Sequence, residues 1–231
     1  MLMESFLFFF AGFIGWQAGK NISKLTNAII NWKQSKRTET YRVYREEKKG
    51  DKRIDTVLLV IGAYVSIFLL PVGEALFSIL MSVLGLLLIR IDQRIRIIPN
   101  ELVLLLFIVG CMKQVMSNGI FGLGEGLIAV VATMGILIFA AFIHKFFSGA
   151  MGVGAGDIKL MMALAMILGI HQLPGLLLGI SATLILYLGY LKMTAGFFLK
   201  QSFPMALQIM GGFMLALHQN WILDFIAVAI R

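Results

Sequence analysis

The stretch 121–143 carries a single charged residue, Glu125. An apolar run of that length has few folds open to it. About 20 apolar residues in helical form cross the hydrocarbon of a bilayer, and a helix satisfies its own backbone hydrogen bonds where no water can. Several other runs approach the same length. Together they make 59% of the 231 residues hydrophobic and leave 14% charged, whereas a soluble domain is about a quarter charged. A mean hydropathy of +0.91 points the same way. The chain reads as an all-α, polytopic membrane protein.

About eight transmembrane helices are expected, at roughly 4–19, 56–70, 74–91, 99–116, 121–143, 158–171, 174–190 and 204–229. Turn signals separate them: Pro71-Val72-Gly73, Ser117-Asn118-Gly119, His171-Gln172-Leu173-Pro174 and Ser202-Phe203-Pro204. The second and sixth spans are short, so they either extend into flanking residues or sit where the bilayer is thinned. The first run has no basic segment before it and no A-x-A-like cleavage site. It is expected to stay as a helix rather than leave as a signal peptide. The resulting division is a first transmembrane helix at 1–19, a basic loop at 20–56 and a helical membrane domain at 57–231.

The 20–56 segment holds eleven of the twenty Lys and Arg against five acids, about three quarters of the net charge of +8. Positive charge marks the cytoplasmic side, so the N-terminus is expected outside and this loop inside. Threading eight spans from there puts Arg90, Arg94, Arg96, Lys145, Lys159, Lys192 and Lys200 inside as well. Lys113 and Arg231 are the two exceptions. The loop is expected to lie near anionic lipid headgroups, either as a short amphipathic helix along them or as a mobile segment. It lacks aromatic interleaving and any nucleic-acid fold signature, so no nucleic-acid partner is expected.

Seven acids lie outside that loop: Glu4, Glu74, Asp92, Glu101, Glu125, Asp157 and Asp224. Most are near expected span ends, where a carboxylate is cheap, and Glu101 suits the first helical turn after Pro99. Asp92 and Asp157 differ. The threading gives them one depth, at the cytoplasmic end of the membrane, although 65 residues separate them. Two carboxylates brought close share a proton and titrate as a pair, one a base and the other an acid. Such a pair can activate a water and protonate a leaving amide nitrogen, with no metal and no nucleophilic side chain. Glycines at 152, 154 and 156 would let backbone approach closely and adopt positive φ beside Asp157. An extended substrate could then lie against that loop.

The residues around both aspartates form recognisable motifs. The first is Asp92, Arg94, Arg96 and Ile98-Pro99-Asn100; the second is Gly154-Ala155-Gly156-Asp157-Ile158-Lys159-Leu160. In this order, on a multi-span chain, they resemble the type IV prepilin peptidase family of GxGD intramembrane aspartic proteases, over roughly 75–215. The glycine-rich opening, "FFFAGFIGWQAGKN", is also similar to the first helix of full-length members. The resemblance implies that Asp92 and Asp157 are the catalytic dyad. It further implies that Gly154, Gly156 and Lys159 shape the second aspartate's loop and its substrate, and that Pro99 and Asn100 set the helix after the first. The implied partners are prepilin or pilin-like precursors with a short basic leader, cut on the cytoplasmic side just before their hydrophobic helix. Bifunctional members carry a tetracysteine, zinc-bearing segment in the first loop and also methylate the new N-terminus. The 20–56 loop has no cysteine, and Cys111 is the single one in the chain. No metal, cofactor or zinc-supported methyltransferase segment is therefore expected.

Three rival readings have specific weaknesses. The presenilin and signal peptide peptidase branch shares a GxGD, but its first aspartate follows a tyrosine where Ile91 stands here. It also carries a Pro-Ala-Leu that Met205 interrupts here. An ion-coupled transporter could use Asp92 and Asp157 as ion ligands, but such sites favour the bilayer midplane. A nucleotide loop at 152–159 would need a strand–turn–helix setting and a Gly-Lys-Ser/Thr ending. His144, His171 and His218 show no metal-ligand spacing.

Overall fold

The computed structural model describes residues 2–36, 50–149, 154–195, 204–220 and 223. Among these the regular elements are all helical: α1 Leu2–Lys36, α2 Asp51–Leu69, α3 Val72–Ile95, α4 Asn100–Ser148, α5 Ala155–Leu168, a 3-10 turn Ile170–Gln172, α6 Leu173–Ala195 and α7 Ala206–Leu217. They form two compact units. The first holds α1 to α3, the second α4 to α7, and the division falls between Ile97 and Ile98.

In the first unit α1 lies against α2 along small residues. A Cβ on Gly15 would stand 2.9 Å from the Leu59 carbonyl oxygen, and one on Gly19 would overlap the Thr56 backbone. Small residues four apart let two helix backbones meet, and backbone contact replaces the hydrophobic drive that lipid removes. The chain then reverses between α2 and α3 at Leu70-Pro71. Pro71, with no N–H to leave unpaired, is the N-cap of α3, and a buried Ser66–Ser78 hydroxyl contact of 2.8 Å ties the helices near the turn.

The 20–56 segment is helical over part of its length, as a continuation of its neighbours rather than as a separate short helix. Residues 20–36 continue α1, Gly50 is the N-cap of α2 and 51–56 already belong to α2; residues 37–49 lie outside the described residues. No proline or glycine lies between Asn21 and Lys36, so nothing in the chain ends the helix there. Polarity alone does not end one. Ile22, Ser23, Thr26 and Ile30 form a buried stripe at helical spacing along this polar half.

The second unit opens on a 49-residue element that is not a straight rod. Asn118 and Gly119 leave helical geometry, Gly119 with φ 59°, where a side chain would be strained. In a straight helix Gln114 and Gly126 would be about 18 Å apart along the axis. Instead a Cβ on Gly126 would stand 3.2 Å from Gln114 Cγ, so α4 folds back on itself as a helical hairpin. The expected Ser117-Asn118-Gly119 turn is that bend, and its two arms match the expected spans 99–116 and 121–143. Helix α5 packs into the hairpin and is buried on every side from Met161 through Leu168, Met162 excepted. Its 14 residues reach about 21 Å, short of a ~30 Å hydrocarbon core. Helices α6 and α7 meet closely where Gly179 faces Gly212.

Among the described residues three helices are long and apolar enough to cross a membrane: Val72–Ile95, Asn100–Phe147 and Ile170–Met193. That is fewer than eight. Continuous α1 mixes an apolar half with a polar one, α2 begins on charges, α4 counts once, and α5 is short. Only 17% of the Ile170–Met193 window is buried, so its apolar side chains point outward, as lipid-facing surface does.

Candidate functional site

Asp157 is the third residue of α5, in the first turn, where unpaired backbone N–H groups and the helix dipole favour a carboxylate. Gly154 is the N-cap, with φ −71° and ψ 141°, and its carbonyl accepts the Ile158 N–H at 3.2 Å. The expectation of positive φ at the motif glycines is corrected here. Gly154 is extended, Gly156 is helical, and neither is among the positive-φ residues of the described chain; Gly152 lies outside the described residues. What Gly154 gives instead is room for the Asp157 carboxylate in its present position. A Cβ there would stand 2.8 Å from Asp157 Oδ2, because the carboxylate folds back over the cap. At Gly156 the same construction gives 3.4 Å to Ile98 Cβ, an ordinary packing contact.

The Ile98-Pro99-Asn100 motif meets this helix start within the second unit. Pro99 is the N-cap of α4, and Val103 N–H donates to its carbonyl at 3.2 Å. Asn100 is the first residue of that helix, and its Oδ1 accepts a hydrogen bond from Lys159 Nζ at 3.3 Å. Five of the expected residues, Gly154, Gly156, Lys159, Pro99 and Asn100, thus cluster with Asp157. Sequence separation of nearly sixty residues closes into one polar contact and one apolar one.

The far end of α5 is also secured by α4. The last carbonyls of a helix have no partner within it. Here Gly169 N–H donates to Ala165 O at 2.9 Å, Gln114 Nε2 donates to Met166 O at 3.1 Å and to Ile167 O at 3.3 Å, and Lys113 Nζ donates to Ile167 O at 3.1 Å. Lys113, an exception to the charge threading, has a physical reason for its position: it supplies a cation to the negative end of a helix. No pattern in the sequence marks Gln114, since its partners lie more than fifty residues away.

Asp92 belongs to the first unit, in the last turn of α3, and is 6% exposed. Its carbonyl accepts the N–H of Arg96 at 2.9 Å, and Arg96 ends the helix in the left-handed conformation, φ 54° and ψ 37°. Two turns of α3 are tied to its neighbours. Arg94 Nη1 donates to Asn27 of α1, and Arg90 is buried against α2. Arg90 Nε donates to both carboxylate oxygens of Asp55, at 2.8 and 3.0 Å, while its Nη2 donates to Asp55 as well. Nη1 donates to Gln93 Oε1 at 3.1 Å and lies 3.7 Å from Asp51 Oδ1. Reading Arg90 as a topology marker, and Asp51 and Asp55 as part of a basic loop, missed this cluster. The available signal was two acids one turn apart at the start of an apolar run.

Asp92 and Asp157 therefore fall in separate compact units, each ordered by its own contacts. No group of three or more His, Cys, Asp or Glu suited to a metal occurs among the described residues.

A model of the type IV leader peptidase family matches residues 78–191, from within α3, across α4 and α5, to within α6. Comparison with curated proteins and with solved structures gives no match. Through residues 78–191, which hold both Asp92 and Asp157, the chain belongs to the type IV leader peptidase family, a family of proteases.

Proposed function

We propose that this protein is a membrane aspartic endopeptidase that removes the leader of type IV prepilins or pilin-like precursors at the cytoplasmic membrane face, with Asp92 and Asp157 as a shared-proton dyad. The observation that carries the reading is the family match across both aspartates. Local order around Asp157 supports it: the carboxylate stands at a helix N-terminus and lies over a glycine cap, where a Cβ would displace it. In this reaction the ionised carboxylate takes a proton from water as the oxygen attacks the scissile carbonyl carbon. The protonated partner then gives its proton to the amide nitrogen as the C–N bond breaks. The chemistry needs both carboxyls on one scissile bond and no metal or covalent intermediate. Lys159 and Asn100 hold the start of α5 and α4 beside the reacting group. A basic leader would be repelled by the Lys- and Arg-rich 20–56 segment, so that segment faces lipid headgroups rather than cradling substrate.

The test is co-expression with a pilin-like precursor and a gel readout of the shorter mature form. Asp92→Asn and Asp157→Asn should each lower cleavage by at least ~10²-fold, the scale of a lost general acid or base, with insertion unchanged. Glu4→Gln and Asp224→Asn, expected on the far side, should leave cleavage nearly intact. An inserted Asp157→Asn protein that cleaves at the native rate would refute the mechanism.

A further inference from the structure

The α2–α3 hairpin is closed at one end by the Leu70-Pro71 turn and at the other by the buried Arg90 fork. Between them the interface is largely apolar, with Leu59, Ala63, Ile79 and Leu86 buried, and apolar burial is in itself non-directional. A planar guanidinium held by Nε and Nη2 on one carboxylate is directional in a way that such contacts are not. Asp55 is 2% exposed and Arg90 8%, so water does not compete for these bonds. Nη1 continues to Gln93 on the next turn of α3, and Nη2 lies 3.4 Å from the Asp51 carbonyl oxygen. The fork therefore adds to the packing a directional restraint on the depth and the rotation of the last turns of α3 against α2.

We infer that Arg90, held by Asp55, is a positioning residue for Asp92, an inference that rests on the dyad reading above. Asp92 lies two residues beyond Arg90, about 200° around the helix, so any rotation allowed at Arg90 is passed undiminished to the aspartate. A carboxylate about 5.5 Å from the helix axis moves by roughly 1 Å for a 10° rotation. A misplacement of that size costs up to ~10²-fold in rate. The second tie, Arg94 to Asn27, is solvent-exposed and a weaker restraint. Asp51 approaches Arg90 only at 3.7 Å and contributes less than Asp55.

Removing one member of a buried ion pair strands the other, whereas replacing both by apolar groups is often neutral for stability. That asymmetry separates positioning from mere structure. The experiment uses the full chain in detergent micelles and a synthetic precursor peptide with a basic leader followed by an apolar helix. kcat, KM and thermal midpoint are read for wild type, Asp92→Asn, Arg90→Lys and the double variant Asp55→Leu/Arg90→Met. Arg90→Lys keeps the charge but loses the planar fork, and should lower kcat roughly tenfold or more with KM within about twofold. The double variant should keep the wild-type midpoint and still lose kcat by a similar factor. Wild-type kcat in a folded Arg90→Lys protein overturns the inference, and so does wild-type kcat in a folded double variant. Asp92→Asn separates the two levels: an active Asp92→Asn protein sinks the dyad reading itself, while an inactive one beside a fully active Arg90→Lys sinks only the positioning role.

Discussion

The C-terminal end of α5 offers a quantitative test of how this fold holds Asp157. Gln114→Leu removes the donor to Met166 O and one of two donors to Ile167 O, the other being Lys113 Nζ. One buried carbonyl is then left without its partner, at a cost of about 1–2 kcal/mol, consistent with interhelical hydrogen bonds worth up to ~1.7 kcal/mol in membrane proteins. Lys113→Met alone leaves Ile167 O still bonded to Gln114, so it should cost no more than about 0.5 kcal/mol. With both gone, Ile167 O is orphaned too. The double variant should therefore lose about 1 kcal/mol more than the sum of the single effects, because the two donors share one acceptor. Reversible unfolding by SDS in mixed micelles, followed by far-ultraviolet circular dichroism, measures all four corners of the cycle. A coupling energy within about 0.3 kcal/mol of zero would refute the shared-acceptor account. A Gln114→Leu protein as stable as wild type would refute the capping account altogether.

A further outcome follows from local geometry. Gly154→Ala places a methyl group against the Asp157 carboxylate, so it should lower precursor cleavage at least ~10-fold through displacement of the reacting group, with a change in unfolding free energy under about 1 kcal/mol; an unchanged cleavage rate would show that the carboxylate need not lie over the cap.

Much of the fold is legible locally. Apolar length and proline or glycine punctuation are properties of consecutive residues, and the helices they imply form from backbone bonds within one segment. The Pro71 and Asn118-Gly119 reversals are of this kind, as is the placement of Asp157 just past a glycine cap. The end of the first apolar run marks a change of solvation, not of backbone conformation. Residues 20–36 are polar, yet Lys, Gln and Asn without proline or glycine carry a helix onward, and the buried stripe of Ile22, Thr26 and Ile30 stabilises it.

Tertiary structure alone decided which polar side chains are partners. Arg90 finds Asp55 across 35 residues, Lys159 finds Asn100 across 59, and Gln114 finds the end of α5 across 52. No periodicity encodes these pairs, because each depends on the angle and offset at which two helices dock. Those quantities are set by side-chain volumes over a whole interface. The role of Gly154 belongs with them: the sequence advertises flexibility, while the folded chain uses an ordinary extended backbone and the missing methyl group. Chemical identity was local, and chemical geometry was not, since burial assigns each charge a partner only once the helices have met.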